Sequence, residues 1–231
     1  MNNKYIQILM KSPIFRGIQE KEIVSLTKCL GCKVKSYNVD EYIFHMHDEV
    51  EYIGIVLEGC VEIIKENISG EKHIMAFLEE ANMFAEAIVC TSTRIATVAA
   101  IAHRDVVVML IPYRRVIQSC SNACGFHNKL VSNMLRVLGD KNEMLNMKME
   151  ILLLKGMRAK LATYLLREAE SRKSIAFNIT PNRVALAEFL NVSRTSMCRE
   201  LTRMKEDKLI DFYKNSFKLI DISKLRECIK S

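Results

Sequence analysis

Residues 183–204 read RVALAEFLNVSRTSMCRELTRM, and this stretch decides how the last third of the chain folds. Apolar residues recur in it at helical spacing in two groups, Leu186 with Leu190 and Met197 with Leu201. Asn191 stands between the groups, at a turn that needs a left-handed residue, and asparagine tolerates that conformation better than most residues. Ala187 is small where the second helix must cross the first. This spacing predicts a helix-turn-helix.

The motif is flanked by residues that favour the start of a helix and by a segment that favours a β-hairpin. Asn182, or Thr180 followed by Pro181, is expected to cap the first helix, and Ser193 is expected to cap the second. Residues 206–222, EDKLIDFYKNSFKLIDI, come directly after the second helix. They read as a β-hairpin wing, with Lys214, Asn215 and Ser216 at its tip.

The face of the second helix opposite its apolar residues carries side chains that suit DNA. The first turns of such a helix reach base edges in the major groove, where arginine pairs bidentately with guanine. The residues predicted to contact bases are Arg194, Thr195, Cys198 and Arg199. Phosphate contacts position a protein without specifying sequence, and the residues predicted to make them are Arg183, Ser193 and Ser196.

Positive charge is concentrated in the same part of the chain. The 231 residues carry a net charge of +7, and residues 155–231 hold 17 Lys and Arg against 9 Asp and Glu. Residues 1–154 are close to neutral. This distribution is typical of a nucleic-acid-binding module, with a solvated basic surface as the alternative interpretation. Double-stranded DNA is the predicted partner.

The composition, 49% hydrophobic and 26% charged, is that of an ordinary globular protein. No run of 18 or more apolar residues predicts a membrane span, and the first residues lack the pattern of a signal peptide. We therefore expect a cytoplasmic protein without a membrane partner, whose eight cysteines are mostly reduced. The sequence shows no catalytic order of Ser, His and Asp, no glycine-rich loop that could hold a phosphate, and no pair of carboxylates in a suitable context. We therefore predict no enzymatic activity.

The first part of the chain changes pattern twice. Residues 4–30 have apolar residues at helical spacing and are expected to be helical. Residues 33–111 contain short β-branched runs separated by turn signals such as Glu58-Gly59 and Ser69-Gly70. Many short strands with regular turns predict a sandwich or barrel of the jelly-roll type. The predicted fold class is α+β.

Residues 126–154 contain no proline and predict one long helix. Along it runs a heptad seam with alternating separations of four and three: Val131, Leu135, Leu138, Asn142, Leu145, Met149 and Leu152. A second apolar row, Leu130, Met134 and Val137, suits packing on the jelly roll. We expect the seam to pair two copies of the chain, with the polar Asn142 fixing the register. The alternative is an amphipathic helix buried within one subunit.

Three stretches carry a resemblance to a known family: YIGIVLEGCVEIIK at 52–65, MFAEA at 83–87 with TRIATVAAI at 93–101, and VALAEFLNVSRTSMCRELTRMKEDKLI at 184–210. They resemble the CRP/FNR family of transcription regulators, and the resemblance covers nearly the whole chain. It implies a jelly-roll effector domain at residues 1–124, a dimerisation helix at 125–155 and a winged helix-turn-helix at 156–231. It also implies a homodimer whose effector repositions two recognition helices on a palindromic DNA site. RNA polymerase is a further implied partner if the protein is an activator.

The resemblance places an effector pocket at Ala85, Glu86, Arg94, Ile95 and Ala96. Family members that bind cyclic nucleotides carry a glycine, an acid, an arginine and a serine in this segment, and Glu86 and Arg94 match two of them. Ala85 replaces the glycine and Ile95 replaces the serine. An added Cβ and a lost hydroxyl both weaken phosphate binding, so we expect a small-molecule effector other than cyclic AMP.

Three further positions depart from the family pattern. Asp40 and His47 stand where members often have turn glycines. Thr195 stands where many members carry a glutamate that accepts from cytosine, so the preferred half-site is expected to differ from the familiar ones.

Several cysteines and one histidine could bind an iron–sulfur cluster or a haem. The alternative function is therefore a redox- or gas-responsive regulator. Oxygen sensors of this family bind an iron–sulfur cluster, and the candidate ligands here are Cys29, Cys32, Cys90, Cys120 and Cys124. Cys29 and Cys32 follow the first helix, whereas the family's usual ligands precede it, and free cysteines are often small buried residues. His127 is the candidate haem ligand, although the expected role is that of a partly exposed polar histidine.

Overall fold

The computed structural model describes residues 2–67, 71–118 and 125–230, and the turn expected at Ser69-Gly70 lies outside them. The chain forms two compact units, residues 1–140 and residues 141–231. The boundary falls inside the longest helix, and each unit has its own hydrophobic core.

Helices begin the first unit, as the sequence predicts. α1 spans Asn3–Leu9 and α2 spans Glu20–Cys29, with a 3-10 turn at Pro13–Phe15 between them. The helical segment expected at residues 4–30 is interrupted because proline removes a backbone donor and Gly17 takes a left-handed φ of 71°. A capping box formed by Gln19 and Glu22 then starts α2.

The strands of this unit form the predicted jelly roll, as two four-stranded antiparallel sheets within the described residues. Their bounds are β1 Lys33–Tyr37, β2 Tyr42–Phe44, β3 Tyr52–Glu58, β4 Val61–Glu66, β5 Lys72–Leu78, β6 Met83–Phe84, β7 Ala99–Ala102 and β8 Val106–Pro112. One sheet has the order β1-β8-β3-β6 and the other has the order β2-β7-β4-β5. Strands distant in sequence are therefore neighbours in both sheets, as in jelly rolls.

The core of the first unit is centred on β3 and β8. These strands pair antiparallel, with Ile53 opposite Ile111, and both side chains are fully buried. The turn after β3 depends on Gly59, which has a φ of 84° and whose Cβ, if present, would lie 2.2 Å from the Asp105 carbonyl oxygen. Only glycine fits this turn without moving the backbone.

A short helix, α3 Glu86–Val89, lies between β6 and β7, and two helices follow β8: α4 Tyr113–Ile117 and α5 Gly125–Leu153. The first part of α5 packs on the core of the first unit. Leu130 and Met134 are buried there, as expected of the second apolar row, while Val137 is only half-buried. The Asn133 amide donates to the Ile14 carbonyl at 3.0 Å, which ties α5 to the N-terminal segment.

The second unit contains the last part of α5 and seven further elements. These are α6 Met157–Arg172, β9 Ala176–Asn178, α7 Arg183–Phe189, α8 Arg194–Glu206, β10 Ile210–Tyr213, β11 Ser216–Leu219 and α9 Ile222–Lys230. Gly156, with a φ of 87°, separates α5 from α6. The core residues Leu161, Leu186 and Leu201 are buried together, and Ile151 at the end of α5 joins them.

Candidate DNA-binding surface and effector segment

α7 and α8 form the predicted helix-turn-helix. The Asn182 side chain accepts from the backbone N–H groups of Val184 and Ala185 at 2.9 and 3.0 Å, which confirms it as the cap of α7. Asn191 has a φ of 52°, so the turn uses the expected left-handed residue. Ser193 occupies the N-cap position of α8, but its hydroxyl makes no capping hydrogen bond. That hydroxyl is exposed at the start of α8, where unpaired backbone N–H groups favour an anion.

The first turns of α8 present most of the predicted DNA-contacting side chains to solvent. Arg194, Thr195 and Arg199 are exposed, and so is Ser196. The apolar side of the helix is buried against the second core by Met197, Leu201 and Met204. Neither Arg194 nor Arg199 forms an ion pair with any residue that the structure describes. Both guanidinium groups therefore remain available to an acceptor from outside the protein.

Cys198 does not lie on this exposed face, and the prediction that it projects outward is wrong. Its side chain is half-buried and packs against the core of the second unit. Successive residues of an α-helix are separated by about 100°, so Cys198 lies one step from the buried Met197, on the flank of the helix. Thr195 and Arg199 lie close to the opposite side of the helix from Met197, and both are exposed.

The structure adds two residues that the sequence reasoning missed. Thr202 and Arg203 continue the exposed face of α8 beyond its first turns. The Arg203 side chain is 69% exposed, and its Nη1 lies 3.7 Å from the Glu200 carboxylate. Thr202 lies seven residues after Thr195, and this spacing places both residues on the same side of a helix. The position of Thr202 was therefore predictable from the sequence.

β10 and β11 form the predicted wing. Tyr213 pairs with Ser216, so Ser216 belongs to the strand and the tip consists of Lys214 and Asn215. Lys214 is exposed and has a φ of 49°. β9 pairs with β11 and completes a three-stranded sheet. The predicted phosphate contact Arg183 points toward this wing, where its Nη2 donates to the Lys214 carbonyl.

A charged network connects α6 to α8 within the second unit. Arg158 donates through Nε to Glu200 at 2.5 Å, and its Nη1 lies 2.7 Å from the Asp207 carboxylate. The hydrogen bond that Arg158 donates to Glu200 raises the pKa of Arg158 above its ordinary value, and the bond that it donates to Asp207 adds to the effect. Only 14% of the Glu200 side chain is exposed. Arg158 therefore holds the middle and the C-terminal end of α8 against the first turn of α6.

The effector segment, residues 85–96, contains the five predicted effector-pocket residues and begins with a residue in a strained conformation. Ala85 has a φ of 64° between β6 and α3, the left-handed conformation that the family's glycine would adopt freely. Glu86 follows as the first residue of α3 and is 3% exposed. Asp40 and His47, at the other positions compared with family glycines, have φ of 65° and 71°. The backbone of this region thus keeps glycine-like turns without the glycines.

Arg94, which matches the arginine of family members that bind cyclic nucleotides, already has a counter-charge. Its guanidinium group forms an ion pair with Glu49. The backbone holds the two residues together, because Val50 N–H donates to the Arg94 carbonyl at 2.9 Å and Ala96 N–H donates to the Asp48 carbonyl at 2.9 Å. Of the remaining predicted pocket residues, Ile95 is 40% exposed and Ala96 is fully buried.

A cavity of about 430 Å³ in the first unit is lined in part by Asp48, Glu49 and Val50, the segment that is hydrogen-bonded to Arg94 and Ala96. Its lining combines aromatic rings with carboxylates and includes Glu49, the partner of Arg94: the aromatic residues are Tyr37, Phe44, Tyr52 and Phe84, and the acids are Asp48, Glu49 and Glu51. Lys35 also lines it. Negative charge at the rim disfavours an anion, and aromatic faces attract cations.

The candidate metal ligands are not brought together in the described part of the chain. Burial raises the pKa of the Cys32 thiol to about 12, whereas metals and clusters bind the thiolate. Cys29 and Cys90 are exposed. Among residues 2–67, 71–118 and 125–230, no three His, Cys, Asp or Glu side chains are placed to hold a metal ion. Cys120 and Cys124 lie outside those residues.

His127 is buried, so the expectation of a partly exposed histidine is wrong. Only 5% of its surface is exposed, and its Nε2 lies 2.8 Å from the Val116 carbonyl oxygen. Val116 belongs to α4, so this contact joins the first turn of α5 to α4. The hydrogen bond uses one ring nitrogen for structure.

The predicted dimer seam is largely exposed in the single chain. Its most exposed members are Leu135 at 66%, Leu145 at 61% and Met149 at 58%. Leu152 and Asn142 are also exposed, while Val131 and Leu138 are half-buried. Most of this apolar row is therefore not covered by other parts of the same chain.

None of the helices within the described ranges is both long enough and apolar enough to span a membrane.

Two family models match the chain. The cyclic nucleotide-binding domain matches residues 34–123, and the Crp-like helix-turn-helix domain matches residues 159–228. A search of curated proteins found no match.

Solved structures share the fold over nearly the whole chain. The Thermus thermophilus catabolite activator protein is 17% identical, with a TM-score of 0.54, covering 95% of this chain and 99% of its own. A mutant of CooA from Carboxydothermus hydrogenoformans is 20% identical, with a TM-score of 0.57 and coverage of 96% and 98%. DNR from Pseudomonas aeruginosa is 17% identical, with a TM-score of 0.50 and coverage of 99% of both chains.

Proposed function

Because the chain belongs to the CRP/FNR family of DNA-binding transcription regulators, we propose that it acts as a homodimer on a palindromic DNA site. An effector bound by residues 1–124 repositions the helix at 125–155, and this helix repositions the two recognition helices of residues 156–231. Half-sites then lie about one turn of the DNA helix apart.

The observation that carries this proposal is the exposed face of α8. Arg194, Thr195 and Arg199 present donors on the first turns of a helix whose other side is anchored in the core. Arginine on such a helix recognises guanine through two hydrogen bonds in the major groove. Ser193 and Ser196 lie where hydroxyls reach the phosphate backbone, which fixes the position of the helix on the duplex.

The exposed seam of α5 supports the dimer. Apolar side chains at heptad spacing pack into a second helix with the same spacing, and burying them removes apolar surface from water. Asn142 in the seam favours pairing in one register at some cost in stability. A C2 dimer presents two identical recognition helices, which matches a palindrome.

For the effector, the arrangement around Arg94 supports a molecule other than cyclic AMP. A phosphate would have to displace Glu49 from Arg94, and Glu49 also lines a cavity that carries two further carboxylates, Asp48 and Glu51. Carboxylates repel an anion, so they raise the free-energy cost of binding a phosphate near Arg94. An uncharged or cationic small molecule meets no such obstacle.

Sedimentation equilibrium of single variants tests the dimer. Leu145→Glu places a charge in the seam, so we expect the wild type to sediment as a dimer and this variant as a monomer. Met144→Glu is the matched control, because Met144 is 52% exposed and lies about 100° around the helix from Leu145. A monomeric wild type, or equal dissociation of both variants, contradicts the proposed seam.

A further inference from the structure

We propose that Arg183 is a positioning residue for DNA binding, which holds the tip of the wing against the helix-turn-helix and so sets where Lys214 meets the DNA backbone. The inference rests on the DNA binding of the family and concerns the geometry of the second unit alone.

Arg183 is the first residue of α7, and its guanidinium group contacts the wing through one hydrogen bond and two aromatic rings. Nη2 donates to the Lys214 carbonyl oxygen at 2.7 Å. The guanidinium carbon lies 4.7 Å from the ring centroid of Phe217 and 5.2 Å from that of Phe212. Both rings belong to the strands of the wing, so a single side chain connects α7 to β10, β11 and the tip between them.

The environment of Arg183 favours this role over that of a free phosphate contact. Its side chain is half-buried, and burial lowers the pKa of the guanidinium group below its ordinary value. Nη1 is buried and has no hydrogen-bond partner among the residues that the structure describes. An exposed arginine that serves a phosphate keeps its donors in water until the DNA arrives, whereas these donors are already directed into the protein.

The tip needs support because its geometry is unfavourable. Lys214 adopts a left-handed φ of 49° in a two-residue loop, a conformation that disfavours residues with a Cβ. Two hydrogen bonds hold the loop: Arg183 binds the Lys214 carbonyl, and the Ile179 N–H donates to the Asn215 carbonyl at 2.9 Å. With its carbonyl held inward, Lys214 keeps its ammonium group exposed, 5.5 Å from the Tyr213 ring centroid.

This arrangement has a consequence for DNA binding. A phosphate contact made by Lys214 contributes to affinity only if the tip lies at a fixed distance from α8, since a mobile tip loses entropy when it is ordered on DNA. Arg183 belongs to the motif that holds α8, so it connects the base-reading helix to the backbone-contacting wing.

A double-mutant cycle tests the coupling, using a duplex selected by the wild-type protein from a random-sequence pool. We expect Arg183→Met to weaken binding about five- to tenfold, the scale of one lost hydrogen bond and one cation–π contact. Lys214→Ala should weaken binding severalfold, and the double variant should be no weaker than Arg183→Met alone. The control pair, Arg203→Met with Lys214→Ala, should show additive losses because the guanidinium group of Arg203 lies beside Glu200 on its own helix.

Additive losses for Arg183 and Lys214 would overturn the proposal and assign Arg183 its own phosphate contact. If Arg183→Met does not fold, Arg183→Lys replaces it, because lysine keeps the charge but loses the planar fork and the ring contacts. We then expect reduced affinity and faster amide hydrogen exchange at residues 212–217 in the DNA-free protein. Unchanged affinity and unchanged exchange contradict the inference, and the exchange measurement stands even if no duplex is selected.

Discussion

Arg94 in the effector segment and Arg199 on α8 are both accessible arginines, but only Arg94 has a carboxylate against it. Arg94 forms an ion pair with Glu49, and two backbone hydrogen bonds hold the segments of both residues together. Arg199 is exposed and has no ion-pair partner in the part of the chain that the structure describes. The first unit therefore supplies the counter-charge itself, whereas the second unit leaves it to a ligand.

This difference matters because an anion that approaches Arg94 must compete with Glu49. Exposed ion pairs add little to folding stability, typically about 0–1 kcal/mol, so Glu49 is not needed to stabilise the fold. Its effect is on selectivity, since it cancels the charge that an anionic ligand would use. On α8 the same competition is absent, and polyanionic DNA meets open guanidinium groups.

The largest effect is expected from Arg199→Ala. Loss of one bidentate guanine contact costs about 1–3 kcal/mol, roughly a 5- to 160-fold loss of affinity for each half-site, and relaxes the preference for the contacted base. Competition binding with a set of single-base operator variants measures both quantities.

Arg104→Ala is the control for this experiment. Arg104 is equally cationic and its side chain is 60% exposed, but it lies in the first unit after β7. We expect it to leave operator binding unchanged. Equal losses for both variants would mean that binding follows net charge, and would contradict the assignment of base contacts to α8.

An intermediate effect is expected from Arg158→Ala, because this arginine is paired inside the second unit. Its removal leaves the mostly buried Glu200 without its strongest partner, and we expect the free energy of unfolding to fall by about 1 kcal/mol after allowing for solvent screening. Urea denaturation measures the change. Arg226→Ala, which breaks an exposed pair with Glu170 at 3.7 Å, should have no measurable effect.

Local sequence signals were sufficient for the elements on which α8 depends. Helical spacing of apolar residues, the Asn182 cap and the left-handed Asn191 are all properties of neighbouring residues, and the structure confirms each of them. The short β-branched runs likewise predicted the jelly roll, because strand alternation and turn chemistry are local.

Contacts between distant residues were not predictable in the same way. Glu49 and Arg94 lie 45 residues apart, and Arg183 and Lys214 lie 31 apart, so no local spacing connects either pair. Cys198 was misplaced because the width of the buried stripe on α8 depends on how far the core extends around the helix. The burial of His127 was not predicted because the pattern of α5 alone does not encode its contact with Val116 of α4.

The smallest effect is expected from Glu49→Gln, which frees Arg94 without changing the size of the side chain. Inorganic phosphate should then stabilise the variant by about 0.4 kcal/mol at a concentration equal to its Kd, by mass action, whereas the wild type should not respond. Thermal unfolding with and without phosphate measures the difference.

Glu51→Gln is the matched control, since it removes a carboxylate from the same cavity rim but from a different arginine, Arg114, at 3.7 Å. It should behave like the wild type. A wild type that phosphate or cyclic AMP already stabilises strongly would contradict the view that Glu49 occupies the anion site.

The central claim is that α8 reads sequence in DNA through donors that the protein leaves open. The most direct measurement is the affinity of the wild type for a selected palindromic duplex and for a scrambled duplex of equal composition, over a range of salt concentrations. We predict that both affinities fall as salt rises, because phosphate contacts release counterions, and that the palindrome binds at least about 1,000-fold more tightly near physiological salt. Equal affinity for the two duplexes at every salt concentration would contradict the claim.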